Sequence, residues 1–145
     1  MGINTEGKFN VVVGALIEHK ASGKILLIKR SDKADFTPGI WEYAMGRVKQ
    51  FEGPLAGLKR EVKEETGLDV EIIKPVNIFH LFRGEEKTAD NELIGIVYWC
   101  ASQSDQVKLS GEHTEYKWLE PPAALELVSH EGVKKDIAAL MREKK

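Results

Sequence analysis

The chain has 145 residues, 42% of them hydrophobic and 30% charged, with a formal net charge of −2; this is the balance of a soluble globular domain long enough to bury a core. The charge argues against a surface built to hold nucleic-acid backbone, and a single cysteine, Cys100, excludes an internal disulfide or a cysteine-rich zinc site. No apolar run reaches the length of a bilayer span, and the N-terminus carries no apolar leader, so one cytoplasmic domain over residues 1–145 is expected, with no membrane partner.

Phe9 to His19 is rich in Val, Leu and Ile and reads as a buried strand. Ala21-Ser22-Gly23 supplies a turn, and Lys24 to Arg30 reads as the second strand of a hairpin. A polar loop closes at Thr37-Pro38-Gly39, and Ile40 to Val48 is extended, with Trp41 and Tyr43 on one face and Glu42 on the other. A helix follows, with Pro54 in its first turn and Gly67 just past its end. Leu55, Leu58 and Val62 form its apolar stripe, and Glu61, Glu64 and Glu65 are expected on the opposite side. Extended runs cover Val70 to Phe82 and Leu93 to Ala101, separated by a polar stretch. After a second polar loop, Glu115 to Leu119 is a short strand. Pro121-Pro122 opens a helix near Ala123, and Val133, Ile137, Leu140 and Met141 mark a last helix. Strands around a central helix, with further helices at the end, make a mixed α/β protein. Cys100, in the run IGIVYWCA, reads as a buried, inert thiol.

The central helix carries the chemistry. Glu61, Glu64 and Glu65 fall at i, i+3 and i+4, so a helix gathers three carboxylates that repel one another. A bound divalent cation removes that conflict, and Mg²⁺ binds through carboxylate oxygens while keeping waters and substrate phosphates in its shell. Acids on one rigid face, holding cations against phosphate oxygens, suit diphosphate hydrolysis: a metal neutralises developing charge and lowers the pKa of coordinated water.

The full stretch GRVKQFEGPLAGLKREVKEETGL, Gly46 to Leu68, resembles the Nudix hydrolase signature: Gly46, Glu52, Arg60-Glu61-Val62, Glu64-Glu65 and Gly67-Leu68 stand at its defined positions. The resemblance implies an α/β/α sandwich with mixed and antiparallel sheet. It also implies hydrolysis of a nucleoside diphosphate derivative with Mg²⁺, Mn²⁺ serving as a substitute. Glu64 and Glu65 would be principal metal ligands, Glu61 a further ligand or the base that deprotonates water, and the Gly46 carbonyl a backbone ligand. Arg60 would hold a carboxylate of the signature, such as Glu52, in a bidentate pair. Glu52 reads equally as an acid at the helix N-terminus.

In the branch that destroys oxidised dGTP, a loop glutamate joins the metal site; Glu112 is the candidate ligand or base, with Glu115 its rival. His113 reads as a surface histidine, because hard magnesium prefers oxygen. Arg30 resembles an arginine that contacts substrate phosphate, and Trp41 and Glu42 stand where related proteins line the cleft. Relatives commonly carry Pro-Gly-Gly where this chain has Ala44-Met45-Gly46, which keeps the signature glycine and alters the loop before it. The implied partner is a small nucleotide: a nucleoside triphosphate, 8-oxo-dGTP among the candidates, with ADP-ribose or a nucleotide sugar as the alternative. A nucleotide-sensing module without turnover is the reading from another class. The resemblance leaves room for a homodimer.

Overall fold

The computed structural model describes residues 6–145. Strand β1 spans Asn10–His19, and its neighbour in sequence, β2, spans Ile25–Arg30. Gly23, at φ +76°, closes the turn between them, its N–H donating to the His19 carbonyl at 2.8 Å. The expected hairpin is brief: Glu18 pairs with Ile25 and the two strands then part. The segment predicted as one strand over Ile40–Val48 fills the fork in two pieces, broken at Tyr43. Its first piece, β3 (Trp41–Glu42), pairs antiparallel with β2, and its second, β4 (Ala44–Arg47), pairs antiparallel with β1 at Val12–Ala15.

On its other side β1 runs parallel to β6 (Glu92–Ser102), which is flanked in turn by the antiparallel β5 (Glu71–Phe82). Strand β7 (His113–Leu119), which starts two residues earlier than expected, pairs antiparallel with β2. The sheet is therefore mixed. β5 lies at its edge, where Pro75 removes no required hydrogen bond. The β5–β6 register shifts between Ile72 and Lys74 and between Pro75 and Asn77, and such irregularities re-aim the residues that follow.

Helices cover both faces. Alternation along the strands sends Val13, Ala15, Ile17, Leu26 and Ile28 to one side, where they pack with Leu58 and Val62 of α1 (Pro54–Thr66). Leu16, Ile25, Leu27 and Val97 go to the other, against α2 (Pro121–Leu127) and Val133, Ile137 and Leu140 of α3 (Glu131–Glu143). Trp41, Tyr43 and Met45 all pack with this second cluster, so the period-2 reading of that segment survives its break. Cys100 is fully buried in the first cluster, and burial pushes its thiol up to about 12. Among the described residues no helix is long and apolar enough to cross a membrane.

Helix α1 begins with Pro54 after the extended Gly53 and ends at Gly67, whose φ of +74° is left-handed. Two expectations about its faces need correction. Leu55, placed in the apolar stripe, is 51% exposed, and the inner row runs through Leu58 and Val62 instead. Glu65, placed on the outer acidic face, is 6% exposed. The reason is geometric: seven residues drift only about 20° around a helix, so Glu65 lies in line with the buried Leu58. The three acids therefore fan from inside to outside. Glu65 is buried, Glu61 half-buried, and the Glu64 side chain 58% exposed.

Candidate active site

Gly46 on β4 lies directly beneath Glu61 of α1. A Cβ built on Gly46 would stand 2.1 Å from the Glu61 carboxyl carbon, so glycine leaves the space in which the Glu61 side chain lies. One residue earlier, the Met45 N–H donates to Glu65 Oε2 at 3.4 Å. β4 thus holds two of the acids from below.

Arg60 holds the group from the flank. Its Nε and Nη2 donate to the two oxygens of Glu52 at 2.8 and 2.9 Å, the bidentate pair expected from the sequence. Its Nη1 donates to Glu61 Oε1 at 2.7 Å and stands 3.6 Å from Glu64 Oε2, and Nη2 also reaches the Arg47 carbonyl. Glu52 accepts the Lys49 N–H as well, and makes no cap to α1. These bonds hold the Glu52 carboxyl down at about 2. Gly57 lies against Glu52, where a Cβ would meet Oε1 at 2.9 Å.

Glu65 is in the opposite condition. Burial first, then the charges of Glu42, Glu61 and Glu112, push its carboxyl up to about 9, against the Met45 N–H that favours ionisation. Glu112 is brought to this group by the loop before β7: Lys108 N–H donates to the Thr66 carbonyl, Ser110 N–H to the Glu65 carbonyl, and the Glu112 carbonyl accepts Ser31 N–H. Among the described residues no three acidic, histidine or cysteine side chains converge closely enough to chelate an ion as they stand. The donor set nonetheless suits a hard divalent cation: an oxygen-only group, a glycine cradle, and one carboxylate held in like-charge conflict that a cation would relieve.

Glu42, predicted at a cleft, is buried, with Oε2 accepting from Arg30 Nη1 at 3.3 Å and 3.0 Å from His113 Nε2. His113 is thus not the surface histidine expected; it is 4% exposed, and its position on β7 opposite Arg30 turns it inward. Arg30 spends Nε on the Phe36 carbonyl at 2.9 Å, and its Nη2 meets no acceptor among the described residues.

Beside this group opens a cleft of ≈ 370 Å³, of a size that holds a small organic ligand. Arg30, Glu42, Met45, Gly46, Asn77, Phe79 and Asp136 are among the residues that line it. Glu61, Glu64, Glu65 and Glu112 lie outside the lining and adjoin it through Gly46 and Glu42. Trp41 does not reach the cleft; it packs in the second core cluster with Lys117 5.2 Å from its ring centre.

Sequence reasoning missed Tyr43, Asn77, Asp136 and Phe36. One signal was legible: Asp136 falls on the inner stripe of α3 with Val133, Ile137 and Leu140, an acid where an apolar residue is expected.

The profile of the NUDIX domain family matches residues 8–141. The chain is 30% identical to the CTP pyrophosphohydrolase of Escherichia coli over 115 residues, covering 79% of this chain and 78% of that protein. It is 29% identical to a MutT-like protein of Streptomyces ambofaciens, covering 76% of this chain, and the match spans 62% of that longer protein. The crystal structure of the MutT protein from Methanosarcina mazei superposes with a TM-score of 0.78 at 28% identity, covering 98% of this chain and 99% of that one.

Proposed function

This chain belongs to the NUDIX domain family, and from that premise we propose that it is a hydrolase that cleaves a phosphoric anhydride bond of a nucleoside triphosphate or a related nucleotide with Mg²⁺. The observation that carries the reading is Glu65, a buried carboxylate crowded by Glu42, Glu61 and Glu112 at the edge of a nucleotide-sized cleft. A structural role gives no return for that crowding; a cation site does. The similarity to a protein named as a CTP pyrophosphohydrolase supports a triphosphate over a nucleotide sugar.

Glu61, Glu64 and Glu65, with the Gly46 carbonyl, would hold the ion. Bound there, Mg²⁺ supplies charge neutralisation on the phosphate oxygens and a more acidic water. Arg60 holds the Glu52 carboxyl low and fixes the rotamers of Glu52 and Glu61. The Nη2 of Arg30, on the wall of the cleft, takes a phosphate oxygen. Water attacks phosphorus, its proton passes to the Glu112 carboxylate, and the bridging oxygen leaves with the P–O electron pair. We assign the proton to Glu112 because Glu61 already accepts from Arg60 and is pressed on Gly46, which suits a fixed ligand.

The test is product identification from the purified chain with a panel of nucleoside triphosphates, 8-oxo-dGTP, ADP-ribose and a nucleotide sugar, each with Mg²⁺ and with a chelator. Chelator-sensitive release of pyrophosphate or phosphate is expected. Glu64→Gln, at an exposed position without core contacts, is expected to lower turnover on the order of 10²-fold or more with an unchanged melting temperature. Silence across the panel sinks the hydrolase, and near-normal turnover by Glu64→Gln removes its ligand role.

A further inference from the structure

Glu42 and Arg30 meet by one contact where a carboxylate and a guanidinium favour two parallel ones. Arg30 Nη1 donates to Glu42 Oε2 at 3.3 Å, while Nη2 meets no acceptor among the described residues. His113 accounts for the difference. Its Nε2 lies 3.0 Å from the same Oε2, and a carboxylate only accepts, so Nε2 carries the proton of that bond. The three side chains come from neighbouring strands, Glu42 from β3, Arg30 from β2 and His113 from β7. A register shift between Lys29 and Arg30 sets His113, rather than Thr114, opposite Arg30, and such an irregularity re-aims a side chain.

The other ring nitrogen carries a second, independent sign. His113 Nδ1 is buried and has no hydrogen-bond partner among the described residues. A ring placed there for packing alone leaves a polar nitrogen bare, a cost that Phe or Leu avoids. What the imidazole adds over those residues is one donor, and the acceptor it meets is Glu42.

Resting on the reading of Arg30 as the phosphate contact, we propose that His113 is a positioning residue for the hydrolysis: it holds Glu42 to a single contact with Arg30 and so leaves Nη2 open for a phosphate oxygen. The guanidinium is a rigid planar fork. With Nε on the Phe36 carbonyl and Nη1 on Glu42, its plane is set and its remaining N–H groups have a fixed direction. Without the His113 donor, the Glu42 carboxylate is free to turn and take both arms of the fork. Arg30 then neutralises Glu42 instead of the substrate.

The test is calorimetric binding of methylenediphosphonate with Mg²⁺, a diphosphate that the chain cannot hydrolyse, to the full chain and its variants. His113→Phe keeps a ring and removes the donor. It is expected to weaken binding about 10- to 100-fold, the effect of losing a hydrogen bond to a charged group. His113→Gln, whose amide still donates, is expected to restore most of the loss. In an Arg30→Ala background, already weakened, His113→Phe is expected to change nothing further. In turnover His113→Phe is expected to raise KM with kcat kept, because the phosphate contact is made in the ground state and carried into the transition state. A fall in kcat alone would report displacement of the neighbouring Glu112 and overturn the proposal. Thermal melts report folding, and His113→Leu replaces His113→Phe if the larger ring overfills the site. A parent chain that does not bind the diphosphonate, parent-like binding by the donorless variant, or a loss that persists without Arg30 also overturns it. Turnover that ignores His113 sinks this inference alone. Diphosphonate binding that follows His113 and Arg30 as expected, in a chain that hydrolyses no nucleotide, sinks the hydrolase reading and leaves this one standing.

Discussion

At residue scale the site depends as much on what is missing from a side chain as on what is present. Gly46 supplies a carbonyl for the ion and, by lacking a Cβ, the space in which the Glu61 carboxylate lies. Gly46→Ala puts a methyl 2.1 Å from the Glu61 carboxyl carbon, so Glu61 must leave Gly46 and pull on its bond to Arg60. The methyl adds no strain in φ, which is not positive here, so the fold is expected to hold. A Mg²⁺ titration of hydrolysis checks it: the half-saturating Mg²⁺ concentration is expected to rise about 10- to 100-fold, and an unchanged requirement would show that Glu61 need not rest on Gly46. Such residues were legible in the sequence because the chemistry demands a type at a spacing: acids at i, i+3 and i+4, an arginine within reach, a glycine that leaves room for an acid. Asp136 and Asn77 follow no such rule. Asn77 lies 59 residues from Asp136, and Tyr43 lies 93 away, so only the packed sheet brings them together.

At element scale α1 owes its orientation to both of its ends and to one arginine. The sequence showed the ends, Pro54 and Gly67, and misjudged the faces, because an acid in line with Leu58 is read as surface by type and as core by angle. Arg60 joins the helix to the turn before it, by both oxygens of Glu52 and the Arg47 carbonyl. This clamp has a pH signature. Glu52 stands at about 2 in the fold against an ordinary value of 4.5, held there by Arg60 first and by the Lys49 N–H second. A carboxyl lowered by folding contributes stability that is complete above the unfolded value and is lost as pH falls toward the folded one. The contribution therefore fades between about pH 4.5 and about 2. Glu52→Gln is expected to be less stable than the parent at neutral pH, and to lose less further stability across that acid window. Urea melts at several pH values measure it; parallel curves for the two proteins would show that the pair does not stabilise the fold.

At the scale of the molecule, the fork between β1 and β2 organises the site. One extended segment crosses it, leaving Glu42 on the β2 side and Met45 and Gly46 on the β1 side, with Tyr43 at the break. The hairpin reading missed this, since alternation and a turn are the same whether two strands stay paired or splay, and only the insertion of 41–47 decides between them. Tyr43 packs its ring on Gly14, where a Cβ would stand 2.4 Å from it, and ties its hydroxyl to Asp136 of α3. The last helix thereby anchors the same segment that presents Gly46 to the acids of α1. Tyr43→Phe keeps the ring and removes the tie, leaving a buried carboxylate short of one donor at a cost of about 1–3 kcal/mol. The Tyr43 bond favours the ionised form of Asp136, opposing the rise that burial imposes. Its loss therefore costs most where Asp136 is charged, and the destabilisation of Tyr43→Phe is expected to grow as pH rises. In an Asp136→Asn background, where no carboxylate remains to ionise, the pH dependence of the Tyr43→Phe effect should vanish. Thermal melts of the two single variants and the double variant at acid and alkaline pH decide it: a Tyr43→Phe effect that is the same at both, with or without Asp136, would mean that the ring alone holds α3 to the fork.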